Sequence, residues 1–305
     1  MKRKIVQQGK SSLNISIPSS WTKKNGIKKG DEIDVEEKDG NLILSSHKNN
    51  PIMAKVLDIR DLENSSIKWY LISLYCSGYD EVKVVFKDHD QIDSINSITR
   101  NLLGYNIMEQ KSKYCIIRSI SQPIEEEFEP SLRRIFMVVL SIADSTFEAI
   151  KSKDKKAFNS VLTMEDTCNR ISCFCLRLLN KKGYKNTSKT TYMHSLIRRL
   201  ENIADSYGSI MIEIKRKNLE INISNDILDL FLDINSLLRI FYESFYKTES
   251  NKIDLVAKKV NTEFDRIMSY KTTANETEQH VLYFLNLIRN SIGESLVPML
   301  AINTK

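Results

Sequence analysis

Between residues 131 and 297 the sequence contains no proline and few glycines. A stretch of that length without breakers excludes a fold of short strands and tight turns there and predicts helices. Cysteine is scarce as well: the five thiols are an odd number and contain no C-x-x-C pair. This excludes a disulfide framework and a zinc ribbon, and predicts buried free thiols at Cys168, Cys173 and Cys175, which fall inside a helical pattern. The longest apolar run, Ile135 to Leu140, is far short of the ~20 residues needed to cross a bilayer. Met1-Lys-Arg-Lys leads into Ile-Val-Gln-Gln and not into an apolar segment, so no signal peptide is expected and the protein is expected to be soluble and cytoplasmic. There is no glycine-rich phosphate loop and no nucleophile beside a base, so no enzyme is expected.

Acidic residues are missing from the first thirty positions, where eight basic ones stand: Lys2, Arg3, Lys4, Lys10, Lys23, Lys24, Lys28 and Lys29. The chain carries +6, so residues 31–305 sum to −2 and all the basic excess lies in this head. Ile15 and Ile17 alternate with polar neighbours, as do Ile33 and Val35, which is the period of a half-buried strand. Asp39-Gly40 is a hairpin-turn dipeptide. Pro18 ends a strand, Ser19 or Ser20 can cap a short helix, Gly26 ends that helix, and Trp21 is read as a core anchor. A compact, basic, β-rich head on a nearly neutral body points to a polyanion, DNA foremost.

The run Gly9-Lys-Ser-Ser-Leu-Asn-Ile-Ser-Ile-Pro-Ser-Ser-Trp21, then Gly26-Ile-Lys-Lys-Gly-Asp-Glu-Ile-Asp-Val35, then Asp39-Gly-Asn-Leu-Ile-Leu44, resembles the AbrB/SpoVT swapped-hairpin DNA-binding domain. A unit of this size buries too little surface to stand alone. The resemblance implies an intertwined homodimer formed through the head, with DNA as partner. Where that family carries an arginine before its second strand, this chain has Leu13-Asn14. DNA contact is therefore expected from Lys10, Ser11, Ser12, Lys23 and Lys24, with Lys2, Arg3 and Lys4 adding charge.

Residues 47–53 read as a linker ending the head at about 48. Over 54–121 a βαβαββ order follows: strands at 55–60, 81–87, 107–109 and 114–119, and helices at 64–77 and 91–103. This predicts a small α/β domain with one sheet and helices on one face. It shows no chemistry; His89, in Lys-Asp-His-Asp, is read as a solvated loop residue. An acidic linker is expected from Pro123 to Pro130, with Pro130 suited to a first helical turn.

The remainder, 125–305, divides into six helices at expected caps Asp154, Ser188, Ser224, Ser250 and Asn275, the last with Glu278 in a capping-box arrangement. An unbroken apolar stripe runs from Met193 to Ile214. Sliding it by 85 residues lays Leu200 on Leu285, Ile203 on Ile288 and Gly208 on Gly293, the mark of an internal duplication. Phe231, Phe241, Tyr242, Phe245 and Tyr246 stand at helical spacing as core or partner interface. His194 and His280 are read as structural. Arg199-Leu200-Glu201-Asn202-Ile203-Ala204-Asp205 resembles the signature of the PhoU family, and Val161 to Asn169 is similar to its second-helix motif. That family folds as two three-helix repeats whose E-x-x-x-D motifs hold iron or zinc. The resemblance therefore implies a divalent or ferric metal at Glu201 and Asp205, with Glu165 and Asp144 as further ligands. In the second repeat Asn286 and Asn290 stand at the matching positions, and neutral amides do not offset a cation's charge. Arg198, three residues before Glu201, offers that carboxylate an ordinary ion pair instead.

The fold expected is thus multidomain α+β: an AbrB-like head (1–48), a small α/β domain (54–121) and a six-helix PhoU-like bundle (125–305). Together these are similar to archaeal phosphate-uptake regulators with an N-terminal DNA-binding domain. The function implied is a dimeric transcriptional regulator of phosphate homeostasis, its bundle sensing a transporter or signalling protein. The alternative is an adaptor that regulates a phosphate ABC transporter by protein contact, with a head that only dimerises.

Overall fold

The computed structural model describes residues 2–38, 40–46, 52–120 and 125–304. Asp39 of the expected turn, residues 47–51 of the expected linker and residues 121–124 lie outside the described residues. The chain divides into two compact units, Met1–Met53 and Ala54–Lys305.

The first unit consists of two antiparallel hairpins and one short helix. Strands β1 (Ile5–Gln8) and β2 (Ser12–Ile15) pair with Ile5 opposite Ile15 and Gln8 opposite Ser12. Pro18 stands at the N-cap of α1 (Ser19–Lys24), and Gly26, at φ +64°, takes the left-handed turn that ends it. Strands β3 (Asp34–Lys38) and β4 (Asn41–Ser45) pair with Val35 opposite Leu44. The two hairpins are separate two-stranded sheets, and among the described residues of this unit no side chain is fully buried. Trp21, expected to anchor a core, is only half-buried, because the described residues of this unit form no buried core for it to enter.

The second unit opens with the expected βαβαββ order. Strands β5 (Ala54–Asp58), β6 (Glu81–Val85), β7 (Tyr105–Gln110) and β8 (Tyr114–Ser119) form one sheet in the order β5-β6-β8-β7. Only β5 and β6 run parallel. Val82, Val84, Cys115 and Ile117 point to one face, where α2 (Asn64–Cys76) and α3 (His89–Arg100) bury Ile67, Leu71, Ile92 and Ile95. His89 lies in the first turn of α3 and not in a loop, because Asp88 caps that helix by accepting from the Gln91 N–H at 3.1 Å.

Six long helices follow: α4 (Phe128–Lys151), α5 (Phe158–Lys182), α6 (Thr190–Arg216), α7 (Asn225–Tyr246), α8 (Ser250–Tyr270) and α9 (Glu276–Glu294). A short α10 (Leu296–Asn303) restarts after Ser295, with Pro298 in its first turn, where its missing N–H costs no helical bond. The expected linker up to Pro130 is instead a 3-10 turn, Glu125–Glu127, running into α4. Asn275 and Glu278 form the expected capping box and Ser224 takes its N-cap position. Three other expected caps fall elsewhere. Asp154 accepts from the Lys156 N–H and shapes the turn before α5, Ser188 sits in a 3-10 turn before α6, and Ser250 is the first residue of α8 behind Glu249.

The helices group as α4-α5-α6 and α7-α8-α9, joined through α4 against α7 and α6 against α9. The paired glycines take matching places. A Cβ on Gly208 of α6 would meet Glu165 Cγ of α5 at 3.2 Å, and one on Gly293 of α9 would meet Val260 Cγ1 of α8 at 3.0 Å. Each glycine lets the third helix of its group approach the second. Across the groups, Tyr207 Oη donates to Asn235 Oδ1 at 2.6 Å, and Asn235 Nδ2 donates to the Ala143 carbonyl at 3.0 Å.

Sheet layer and bundle belong to one unit, and Arg177 of α5 shows how they are joined. Its guanidinium, 1% exposed, donates to the Tyr75 and Tyr79 carbonyls at 2.8 and 2.7 Å and to Asp80 at 3.1 Å. It lies against the Tyr75 and Tyr105 rings, 5.0 and 5.2 Å from their centroids. Lys181 also pairs with Asp80, and Asn180 Nδ2 donates to the Cys76 carbonyl.

Candidate functional site

All eight residues expected to contact DNA are exposed. Lys2, Arg3 and Lys4 precede β1. Lys10 and Ser11 occupy the β1–β2 turn and Ser12 begins β2, while Lys23 and Lys24 form the last turn of α1. Lysines at a helix C-terminus sit favourably on its dipole. Among the described residues, no ion pair engages any of the head's eight basic side chains, so their charge faces solvent. The apolar side chains of the hairpins face solvent too, with Leu13 at 70% and Leu42 at 69% exposure beside Ile5, Val6, Ile15 and Val35. Strands carrying so much uncovered apolar surface need a second surface to bury it.

The residues expected to hold a metal divide. Glu165 of α5 and Glu201 and Asp205 of α6 line one cleft of about 680 Å³, whose far wall is α2 with Trp69, Ile72 and Cys76. Glu201 and Asp205 meet there because, with Arg198, they stand three and four residues apart and so share one face of α6. Asp144 does not join them: it lies on α4 facing α7, where it pairs with Arg239.

The cleft is organised by two pairings. Burial first, then the neighbouring Asp205 carboxylate, push the Glu165 carboxyl up to about 7. Asn169, one turn along α5, donates to Glu165 and opposes that rise. Glu201 accepts from Arg198 Nη1 at 2.7 Å, and burial raises its carboxyl against the pull of that guanidinium. The ion pair available in the sequence is thus the one formed. The Arg198 guanidinium already occupies Glu201, and among the described residues no group of three or more His, Cys, Asp or Glu side chains is disposed to hold a metal. As placed, this set does not fit a divalent or ferric ion. In the second group Asn286 accepts from Arg289, Asn290 donates to Glu294, and Val260 stands where Glu165 meets its glycine.

Nothing in the sequence placed Cys76, Asn169, Cys173 and Arg177 at a common joint. Arg177 and Cys173 sat inside an amphipathic pattern that gave no sign of α2 packing on α5, and that packing joins segments about a hundred residues apart.

Residues 6–52 match the family model described as antidote-toxin recognition MazE, bacterial antitoxin. No curated protein matches the chain. Among solved structures, the chain is similar to the phosphate transport system regulatory protein PhoU from Streptococcus pneumoniae, at 16% identity and a TM-score of 0.47, covering 59% of this chain and 95% of that one. The N-terminal segment is of the MazE/AbrB antitoxin-like type.

Proposed function

We propose that the protein is a dimeric DNA-binding transcriptional regulator, and that the genes it regulates serve phosphate uptake. The observation that carries the first part is the head itself: eight exposed basic side chains, without ion pairs among the described residues, on two hairpins whose apolar residues are uncovered. A second copy of the head covers the apolar strands and doubles the positive charge. Such a dimer is suited to a two-fold DNA site, with the lysines on phosphates and Ser11 and Ser12 near base edges. The phosphate branch is supported by the Arg199–Asp205 signature on α6 and by the pairing of Gly208 with Gly293 in two three-helix groups.

The test is binding of the full chain to promoter fragments of phosphate-transport genes against random duplex of equal length. A regulator prefers its promoter by ~10³-fold or more. Replacing Lys23 and Lys24 by glutamate abolishes that binding while leaving the helical content unchanged. Equal binding to both duplexes contradicts the regulator. No binding at all, with a phosphate transporter captured in its place, gives the adaptor reading.

A further inference from the structure

Cys76 is the last residue of α2, and Cys173 lies within α5, the helix against which α2 packs. The Cys76 sulfur lies 3.8 Å from the Cys173 carbonyl oxygen. The two cysteines thus adjoin where the helices pack. The Cys173 thiol is the main influence holding Cys76 below the usual thiol range, and Arg198 and Arg177 act in the same direction against burial and the Glu201 charge. The same interaction, with burial, pushes Cys173 up. Both line the cleft of about 680 Å³ described above, each largely buried in its wall at 8% and 6% exposure. The other three cysteines differ: Cys115, Cys168 and Cys175 are wholly buried and do not line this cleft. Burial alone pushes Cys115 up to about 11 and, ahead of the Glu129 charge, Cys175 up to about 12. A sulfur under the pull of two guanidinium groups, in the wall of a cleft and next to a second cysteine, has the surroundings of a reactive cysteine with its resolving partner.

We propose that Cys76 and Cys173 form a peroxide-responsive dithiol that closes to a disulfide between α2 and α5. The Cys76 thiolate attacks one oxygen of hydrogen peroxide and the O–O bond breaks. This gives Cys76 sulfenic acid and hydroxide, which takes up a proton to become water. The Cys173 thiol gives up its proton and attacks the Cys76 sulfur, and the sulfenic oxygen leaves with that proton and its own as a second water. Two thiols are thereby oxidised by two electrons and one peroxide is reduced to two waters. The bridge ties the sheet layer to the bundle beside the Arg177 joint and closes a loop of 97 residues.

The experiment treats the reduced full chain with one equivalent of hydrogen peroxide, alkylates remaining thiols after unfolding and maps the peptides. The expected result is a Cys76–Cys173 cross-linked peptide that dithiothreitol reverses, with Cys115, Cys168 and Cys175 alkylated. Cys173→Ser is expected to take up dimedone at Cys76 and to form no cross-link, and Cys76→Ser to take up none at Cys173. A Cys76 that remains a thiol, one driven to sulfinic acid without a cross-link, or a cross-link to another cysteine overturns the proposal. The wild-type map decides the question even where a serine variant fails to fold.

Discussion

A guanidinium cut off from water must have its donors satisfied, and Arg177 meets that demand with two backbone carbonyls, one carboxylate and two aromatic rings. Removing it takes the guanidinium from Asp80 and leaves the Tyr75 carbonyl to the Gly78 N–H and the Tyr79 carbonyl to the Tyr105 hydroxyl, with a cavity where the buried side chain stood. Arg177→Ala is expected to lower the stability of the second unit by ~3–5 kcal/mol, read as a lower urea midpoint in far-UV circular dichroism. A neutral result would show that the sheet–bundle joint does not depend on this residue. Glu165 acts in the opposite sense. Its carboxyl binds a proton more tightly in the folded chain, at about 7, than at the ordinary value of 4.5. The folded state therefore holds the extra proton, and stability that is fully present below about 4.5 is lost as pH rises through about 7. Glu165→Gln cannot ionise, and is expected to flatten that slope and to exceed the wild type in stability at pH 8. Parallel pH–stability curves for the two proteins would contradict the raised Glu165 carboxyl.

The two hairpins of the head present the same problem at the level of elements. Leu13 on β2 and Leu42 on β4 are among their most exposed side chains, although the strand period marks both hairpins as half-buried. Covering them with a second copy resolves the discrepancy. Leu13→Glu with Leu42→Glu is expected to shift the sedimenting species from two chains to one, and a two-chain species that survives both changes would place the dimer interface elsewhere. The sequence conveyed these elements unevenly. The strands and helices of the α/β layer were legible because each carries its own period, and Asn275 with Glu278 because a capping box is local. Asp154, Ser188 and Ser250 misled because a good cap residue also shapes the turn before a helix, and only the packed backbone decides which. Trp21 read as core by its chemistry alone, yet the described residues around it form no buried core. Glu165, Glu201 and Asp205 were legible as a polar group on two helices. Arg198 was legible as the partner of Glu201, because residues three apart on a helix stand side by side. Cys76 beside Cys173 was not legible, since nothing local to either announces the other.

Over the whole molecule, two helical groups share one architecture and differ in chemistry. Where the first group sets Glu165, Glu201 and Asp205 around Gly208, the second sets Val260, Asn286 and Asn290 near Gly293. The duplicated frame thus keeps its close helix approach in both halves and its acidic cleft in one. The charge of the molecule is divided as unevenly, with +8 on the first thirty residues and −2 on the rest. On that division rests the proposal that the basic head grips the DNA backbone. The decisive experiment is the affinity of the full chain for duplex DNA across a salt series. A dimer that lays about six basic side chains on phosphates gives log K against log salt a slope of about −5, and alanine at Lys23 and Lys24 makes it shallower by roughly one for each phosphate no longer neutralised. Affinity that does not change with salt, or a slope indifferent to those two lysines, would contradict a grip on the backbone.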